Sequence, residues 1–184
     1  MPKALIERTE FYNIWRKFID KGATEGVPES IKASWKRCLE MGVDPRKEIP
    51  SAEPLSQNMI QKRLDDHSGL HKILQYYQKN IEQYFDFIPL SMFFCDKEGF
   101  ILSLSGHDEL LKMLEEGGGT EGYTINESAM GTTAPGISLI EQEPSIVCAE
   151  ERCWFPICTS LLYFFCASTT IAPSAGLWLC GFST

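Results

Sequence analysis

Ser91-Met92-Phe93-Phe94-Cys95-Asp96-Lys97-Glu98-Gly99-Phe100-Ile101-Leu102-Ser103-Leu104-Ser105 is the stretch on which the fold turns. Residues 91–96 are apolar and aromatic enough for a buried strand, and Lys97-Glu98-Gly99 is hairpin-turn chemistry. Phe100, Leu102 and Leu104 then alternate with a period of two, the mark of a returning strand with one buried face. Just upstream, Leu70, Ile73, Leu74, Tyr77, Ile81, Tyr84 and Phe85 recur at helical spacing, with Lys72, Gln75, Lys79 and Gln83 off that face. A helix with one apolar side beside a hairpin belongs on the sheet that the hairpin starts.

The remaining elements follow from the same periodicities. Phe11, Ile14, Trp15, Phe18 and Ile19 mark one helical face that Gly22 ends, and Ile31, Trp35, Cys38 and Leu39 mark a second, with Pro28 in its first turn and Gly42 past its end. Residues 44–54 read as a linker rich in proline and charge. After the hairpin, residues 107–116 are helical up to a glycine run. Asn126 or Ser128 can cap a further helix through Ile137 and Leu139, stopped by Pro144. Residues 145–148, 166–171 and 176–182 read as strands. The expected fold is α+β, an antiparallel sheet with flanking helices, with an N-terminal helical segment over residues 1–68 and the sheet-bearing domain over 69–184.

Composition narrows the function. The chain has 184 residues, 43% of them hydrophobic, enough for a core, and a net charge of −8. That charge is uneven: residues 1–68 hold 12 Lys+Arg against 11 Asp+Glu, and residues 69–184 hold 5 against 14, so +1 and −9 sum to −8. The second part repels nucleic acid, so any contact with DNA needs a separate basic module. The N-terminus MPKALIERTE has charges where the apolar core of a signal peptide would stand, which points to the cytoplasm. There the seven cysteines stay reduced and act mostly as small apolar residues. From Cys153 to Thr184 no residue is charged, but Pro156 and Pro173 interrupt the run and its longest apolar piece, residues 157–166, is short of the roughly 20 residues of a helical span. Core strands are expected there rather than a membrane segment, with the natural chain continuing past Thr184.

Several constellations suggest chemistry and mostly fail. Gly117, Gly119 and Gly122 fit G-x-G-x-x-G, but a helix precedes them where a dinucleotide site needs a strand. His67 and His71 are one turn apart without the glutamate of H-E-x-x-H, so a solvated helix face is expected. Cys148, Cys153, Cys158 and Cys166 are spaced unlike structural zinc ligands and sit among aromatics; Arg152 beside Cys153 keeps a thiol-redox or metal-sensing alternative open. No nucleophile, base and orienter set is present, so no enzyme and no cofactor is expected. The helices around Trp15 and Trp35 are candidate docking surfaces for another protein.

The most distinctive string is Glu127-Ser128-Ala129-Met130-Gly131-Thr132-Thr133-Ala134-Pro135-Gly136. Small hydroxylated residues let a helix start close to a ligand, where free amides can hold an anion or carbonyl; the same residues serve close helix-on-sheet packing.

Ile31, Ser34, Trp35, Arg37, Cys38, Gly42, Asp44 and Pro45 spell I-x-x-S-W-x-R-C-x-x-x-G-x-D-P. Asp96, Gly99, Ile101 and Leu102 follow D-x-x-G-x-I-L, and Gly122, Glu127, Gly131, Thr132 and Gly136 match most of G-x-x-W-x-E-x-x-x-G-T-N-x-x-G. Together they resemble the N-terminal GAF sensory region of sigma-54-dependent transcriptional activators of the acetoin-catabolism and glycerol-metabolism type. Ile125, Thr133, Arg152 and Thr170 depart from that pattern and bear on the effector more than on the fold. The resemblance implies a signal-receiving domain, acting as a homodimer through its N-terminal helices, whose contact with DNA and RNA polymerase runs through an ATPase and a helix-turn-helix absent from these residues. The pocket it implies comprises Tyr123, Asn126, Glu127, Thr132, Thr133, Trp154, Phe155, Ser168 and Thr170, holding a small-molecule effector.

Overall fold

A computed structural model describes residues 8–23, 25–44, 52–83, 90–116, 119–143, 145–147, 162–167 and 175–182. In chain order the elements are α1 (Arg8–Lys21), α2 (Glu29–Glu40), α3 (Gln57–Asp66), α4 (Ser68–Glu82), β1 (Leu90–Asp96), β2 (Ile101–Gly106), α5 (Asp108–Glu116), α6 (Glu127–Met130), α7 (Ala134–Glu141), β3 (Ile146–Val147), β4 (Leu162–Ala167) and β5 (Ala175–Phe182). The strands form one antiparallel sheet in the order β2-β1-β5-β4-β3. The expected α+β architecture, helices first and then a hairpin-led sheet, is what forms. No helix of the described residues is long and apolar enough to cross a membrane.

The hairpin sets the two faces of the sheet. Phe93 pairs with Leu104 and Phe94 with Ser103, but Cys95 pairs with Ile101, so the register slips by one residue at Leu102. Such a bulge puts consecutive residues on the same side and reverses the alternation beyond it. Leu102 therefore joins Phe94, Ile60 and Leu74 on the face under α3 and α4, whereas Leu104 joins Phe93, Cys95, Ile101 and Ile125 on the other. The period-two reading, which put Phe100, Leu102 and Leu104 on one face, is corrected by this single inserted residue.

Other boundaries also differ from expectation. α3 was not foreseen, because a helix with Met59, Ile60 and Leu64 among polar residues has too thin a stripe to signal itself. The stripe expected on α4 is rotated: Leu74 is buried, but Ile73 and Tyr77 are 55% and 54% exposed. Instead His67 and His71, read from sequence as a solvated face, lie on the inner side with their ring centroids 6.4 Å and 6.2 Å from that of Phe94. The helix expected from Asn126 through Leu139 is two helices, broken at Gly131, whose φ of 67° and ψ of −158° fit no helix. Thr133 restarts the chain as N-cap of α7, its Oγ1 accepting the Gly136 N–H at 3.0 Å, with Pro135 in the first turn. β4 begins upstream of the strand expected at 166–171, since the aromatic run from Leu162 to Phe165 is itself paired.

A second core forms where α1 and α2 meet α7 and β3. Phe18, Val27, Ile31, Trp35 and Cys38 bury against Ala134, Ile137 and Val147, and Ile14, Trp15 and Ile19 pack at its margin. The Phe18 and Trp35 rings approach to 4.7 Å between centroids.

Gly122 holds the N-terminal half to the hairpin. Its carbonyl accepts the Leu55 N–H at 2.9 Å, its own N–H donates to Ile101 at 2.7 Å, and its φ is 88°. A Cβ there would sit 2.9 Å from the Leu55 carbonyl oxygen. Gly122→Ala combines left-handed strain with a backbone clash and is expected to lower unfolding free energy by about 1–3 kcal/mol; urea denaturation of the two chains measures it.

Candidate functional site

The residues of the S-W-x-R-C string stand at i, i+3 and i+4 on α2, so Ser34, Arg37 and Cys38 share one side of the helix. All three face the Glu127–Thr132 segment about ninety residues later. Arg37 grips Glu127 with both arms of its guanidinium, Nε donating to Oε2 at 2.7 Å and an Nη2 hydrogen to Oε1 at 2.8 Å. Ser34 Oγ donates to Thr132 Oγ1 at 2.9 Å, and Cys38 Sγ lies 3.9 Å from the Glu127 carbonyl oxygen and 3.7 Å from Thr132 Oγ1. Glu141 of α7 adds a second carboxylate 3.7 Å from Arg37.

This seam is nearly dry on one side. The Glu127 side chain is 1% exposed and that of Arg37 is 27% exposed. The hydrogen bond to Glu127 raises the guanidinium's pKa above its usual value; burial opposes this, and the charges of Glu127 and Glu141 add to it. A buried carboxylate is tolerated only with a partner of this quality. The arrangement can hold α2 in one position against α6, and it leaves no carboxylate oxygen of Glu127 unengaged.

A second charged group ties α3 to the hairpin turn. Asp96 Oδ1 accepts the N–H groups of Glu98 and Phe100, both at 3.0 Å, and Oδ2 accepts from Arg63, which also reaches Glu98 at 2.8 Å. The Arg63 guanidinium carbon lies 4.8 Å from the centroid of the Phe100 ring. Burial lowers its pKa, but hydrogen bonds and charges from Asp96 and Glu98 outweigh this and leave it raised. An open cleft of about 490 Å³ runs beside the group, lined by Met59, Lys62, His67 and Lys97 among others. Among the described residues no three His, Cys, Asp or Glu side chains come together as metal ligands.

The pocket residues expected from the resemblance are placed as follows. Asn126 donates to the Glu98 carbonyl at 2.8 Å and so braces the hairpin turn. Glu127 and Thr132 bond to α2, Thr133 caps α7, and the Tyr123 carbonyl accepts the Ile101 N–H at 2.8 Å. Trp154, Phe155, Ser168 and Thr170 lie outside the described residues, as do Cys148, Cys153 and Cys158; Cys166 falls in β4. Cys38 and Cys95 take part in no disulfide, and both are buried. The expected docking surface around Trp35 is not one: this ring is fully buried, and Trp15 packs into the same cluster. Sequence reasoning left Ser34 and Arg37 out of the site, although their one-sided spacing on a helix was visible.

The two strings that make the seam are among those that carry the resemblance. The resemblance to the N-terminal sensory region of sigma-54-dependent transcriptional activators is borne out. Over 140 residues, 75% of its length, the chain is 25% identical to the acetoin dehydrogenase operon transcriptional activator AcoR of Bacillus subtilis (strain 168), of which it spans 23%. The structure is similar to a chain in the crystal structure of the E. coli DhaR(N)–DhaL complex, with a TM-score of 0.73 and 16% identity over 84% of this chain and 52% of that one. No family model matches the chain.

Removing Arg37 strands a buried carboxylate, so Arg37→Ala is expected to destabilise by about 3–5 kcal/mol. Glu127→Gln keeps an acceptor and leaves only a part-exposed cation, so its cost is smaller. Chemical denaturation of both single variants and the double variant measures the coupling; additive effects would show that the pair contributes nothing specific.

Proposed function

We propose that this chain is the signal-receiving domain of a bacterial transcriptional activator, a GAF-type sensor that binds a small effector and passes its occupancy to an ATPase elsewhere in the protein. The observation that carries this is the seam itself. The sheet face formed by Phe93, Cys95, Ile101, Leu104 and Ile125 is apolar and stands opposite the face covered by α3 and α4. Two residues after Ile125 comes Glu127, gripped by Arg37 of α2. Phe93, Cys95, Ile101 and Ile125 are buried, so a ligand that takes a place against that face, beside Tyr123, displaces Ile125 and α6, and the charge pair carries the displacement to the N-terminal helices.

The mechanism is a population shift. The effector favours one position of α6, and so one position of α2, by no more than its difference in affinity for the two. An apolar sheet face with few charges fits a small, largely uncharged metabolite oriented by one or two hydroxyl or carbonyl groups. The acidic surface keeps the domain off DNA, and DNA and RNA polymerase are reached through other domains, in the cytoplasm.

A second reading is a protein signal in place of a metabolite. It is favoured by the similarity to a chain of the DhaR(N)–DhaL complex, in which that fold is held with another protein.

A thermal-shift screen against metabolite classes tests the first reading. One class is expected to raise the melting temperature saturably, by the free energy RT ln(1+[L]/Kd). With that ligand, hydrogen exchange of the α2 amides is expected to change, and Arg37→Ala is expected to abolish this change while binding persists. A chain that no metabolite stabilises, but that a purified protein partner does, would move the assignment to the second reading.

A further inference from the structure

The cleft beside the hairpin turn holds more hydrogen-bond donors than its own acids use. Its volume of about 490 Å³ falls in the roughly 300–1,000 Å³ range of small-molecule sites, with Lys62, Arg63 and His67 on the α3 side and Lys97 and Glu98 on the turn side. The acids are largely committed. Asp96 Oδ1 accepts two backbone N–H groups, Oδ2 accepts from Arg63, and Glu98 Oε2 lies 2.8 Å from the same guanidinium.

The donors are not. Arg63 meets both acids through one nitrogen, Nη1, so the N–H groups of Nε and Nη2 have no acceptor among the described residues. Lys62 and Lys97 are exposed, and neither pairs with a carboxylate among the described residues. His67, half-buried against Phe94, adds an imidazole to the same wall. Two ammonium groups and a guanidinium with N–H groups to spare suit a doubly charged anion, which can be bonded from two sides at once. We propose that this cleft binds a small dianion, a phosphate or dicarboxylate group held between Lys62 of α3 and Lys97 of the turn. The site is separate from the apolar sheet face on which the sensor reading places its effector, and it does not rest on that reading.

Its position gives such an anion a route to the seam. The Gly99 carbonyl accepts the Ile125 N–H at 2.8 Å, and the Glu98 carbonyl accepts from the Asn126 side chain at 2.8 Å. The next residue is Glu127, which Arg37 grips. An anion that ties the turn to α3 therefore steadies the backbone leading into α6.

Isothermal titration calorimetry of the whole chain with inorganic phosphate and with succinate, at an ionic strength held constant with sodium chloride, tests it. Saturable one-to-one binding is expected, and the dianion that binds more tightly tells a phosphate ligand from a dicarboxylate. Lys62→Gln with Lys97→Gln is expected to raise the dissociation constant by at least about tenfold. Lys72→Gln with Lys79→Gln, which removes the same charge from exposed positions of α4, is expected to change it by less than about twofold. All four lysines are exposed, so the melting temperatures of both variants without the anion are expected to match that of the parent chain. Hydrogen exchange at the Ile125 and Glu127 amides is expected to slow when the dianion binds. No saturable binding of either dianion, binding indifferent to Lys62 and Lys97, or an equal loss in the two double variants would each overturn the site; unchanged exchange would overturn its link to the seam. A chain that binds neither dianion but is still stabilised by an uncharged metabolite would overturn the site and leave the sensor reading standing.

Discussion

The Arg37–Glu127 pair is the constraint around which the molecule is arranged. It joins residues 90 positions apart with two charge-assisted hydrogen bonds in a place that water scarcely reaches. A carboxylate so buried has no tolerable alternative to its partner, so the pair fixes where α2 sits, and α2 then fixes the core that Trp35, Cys38, Ala134 and Ile137 share. A hydrophobic contact in the same place would slide; the two-pronged geometry does not. That also accounts for the broken helix at Gly131: only an abrupt turn there puts the Glu127 carboxylate and the Thr132 hydroxyl on the same side, facing one helix.

The hairpin carries the other half of the arrangement. Asp96 closes its own turn through two backbone N–H groups and draws in Arg63, while Asn126 holds the same turn from the opposite side through the Glu98 carbonyl. Two segments distant in sequence therefore converge on a three-residue turn. The bulge at Leu102 divides the hairpin's residues between the two faces of the sheet, one of which lies under α3 and α4.

Much of this was legible in the residues. The hairpin declared itself through period-two alternation and a glycine turn, and α1 and α2 through apolar spacing with stops at Gly22 and Gly42. The exceptions share a cause, in that contacts from outside the local window outvoted local pattern. One inserted residue at Leu102 inverted the alternation beyond it. At the start of α4 His67 and His71 lie against the ring of Phe94, and a helix whose spacing suggests an apolar face about Ile73 and Tyr77 turns those residues to solvent. The Glu127–Gly136 string was read as equally suited to a ligand or to packing. In the structure Glu127 and Thr132 face α2, whose Ser34 and Arg37 belong to the other distinctive string. Arg37 is the residue most clearly visible in hindsight: a lone arginine on a helix face otherwise built from Ile31, Ser34, Trp35 and Cys38 needs an acid, and Glu127 is the acid in the other distinctive string.

The order β2-β1-β5-β4-β3 has a consequence for how the chain comes off the ribosome. β5 is the last of the described strands to be made, yet it occupies the middle of the sheet, paired with β1 on one side and β4 on the other. Until residues 175–182 have left the exit tunnel, β1 and β4 each present an open edge of unpaired backbone groups, flanked by Phe93 and Phe94. Synthesis at about 5–20 residues per second leaves the β1 edge bare for several seconds, long on the scale of hairpin formation. An exposed edge of this kind is a template for any neighbouring chain until β5 fills it. The central strand is thus a closing bolt: the two halves of the sheet, made first and last to meet, become one body only when it slides home.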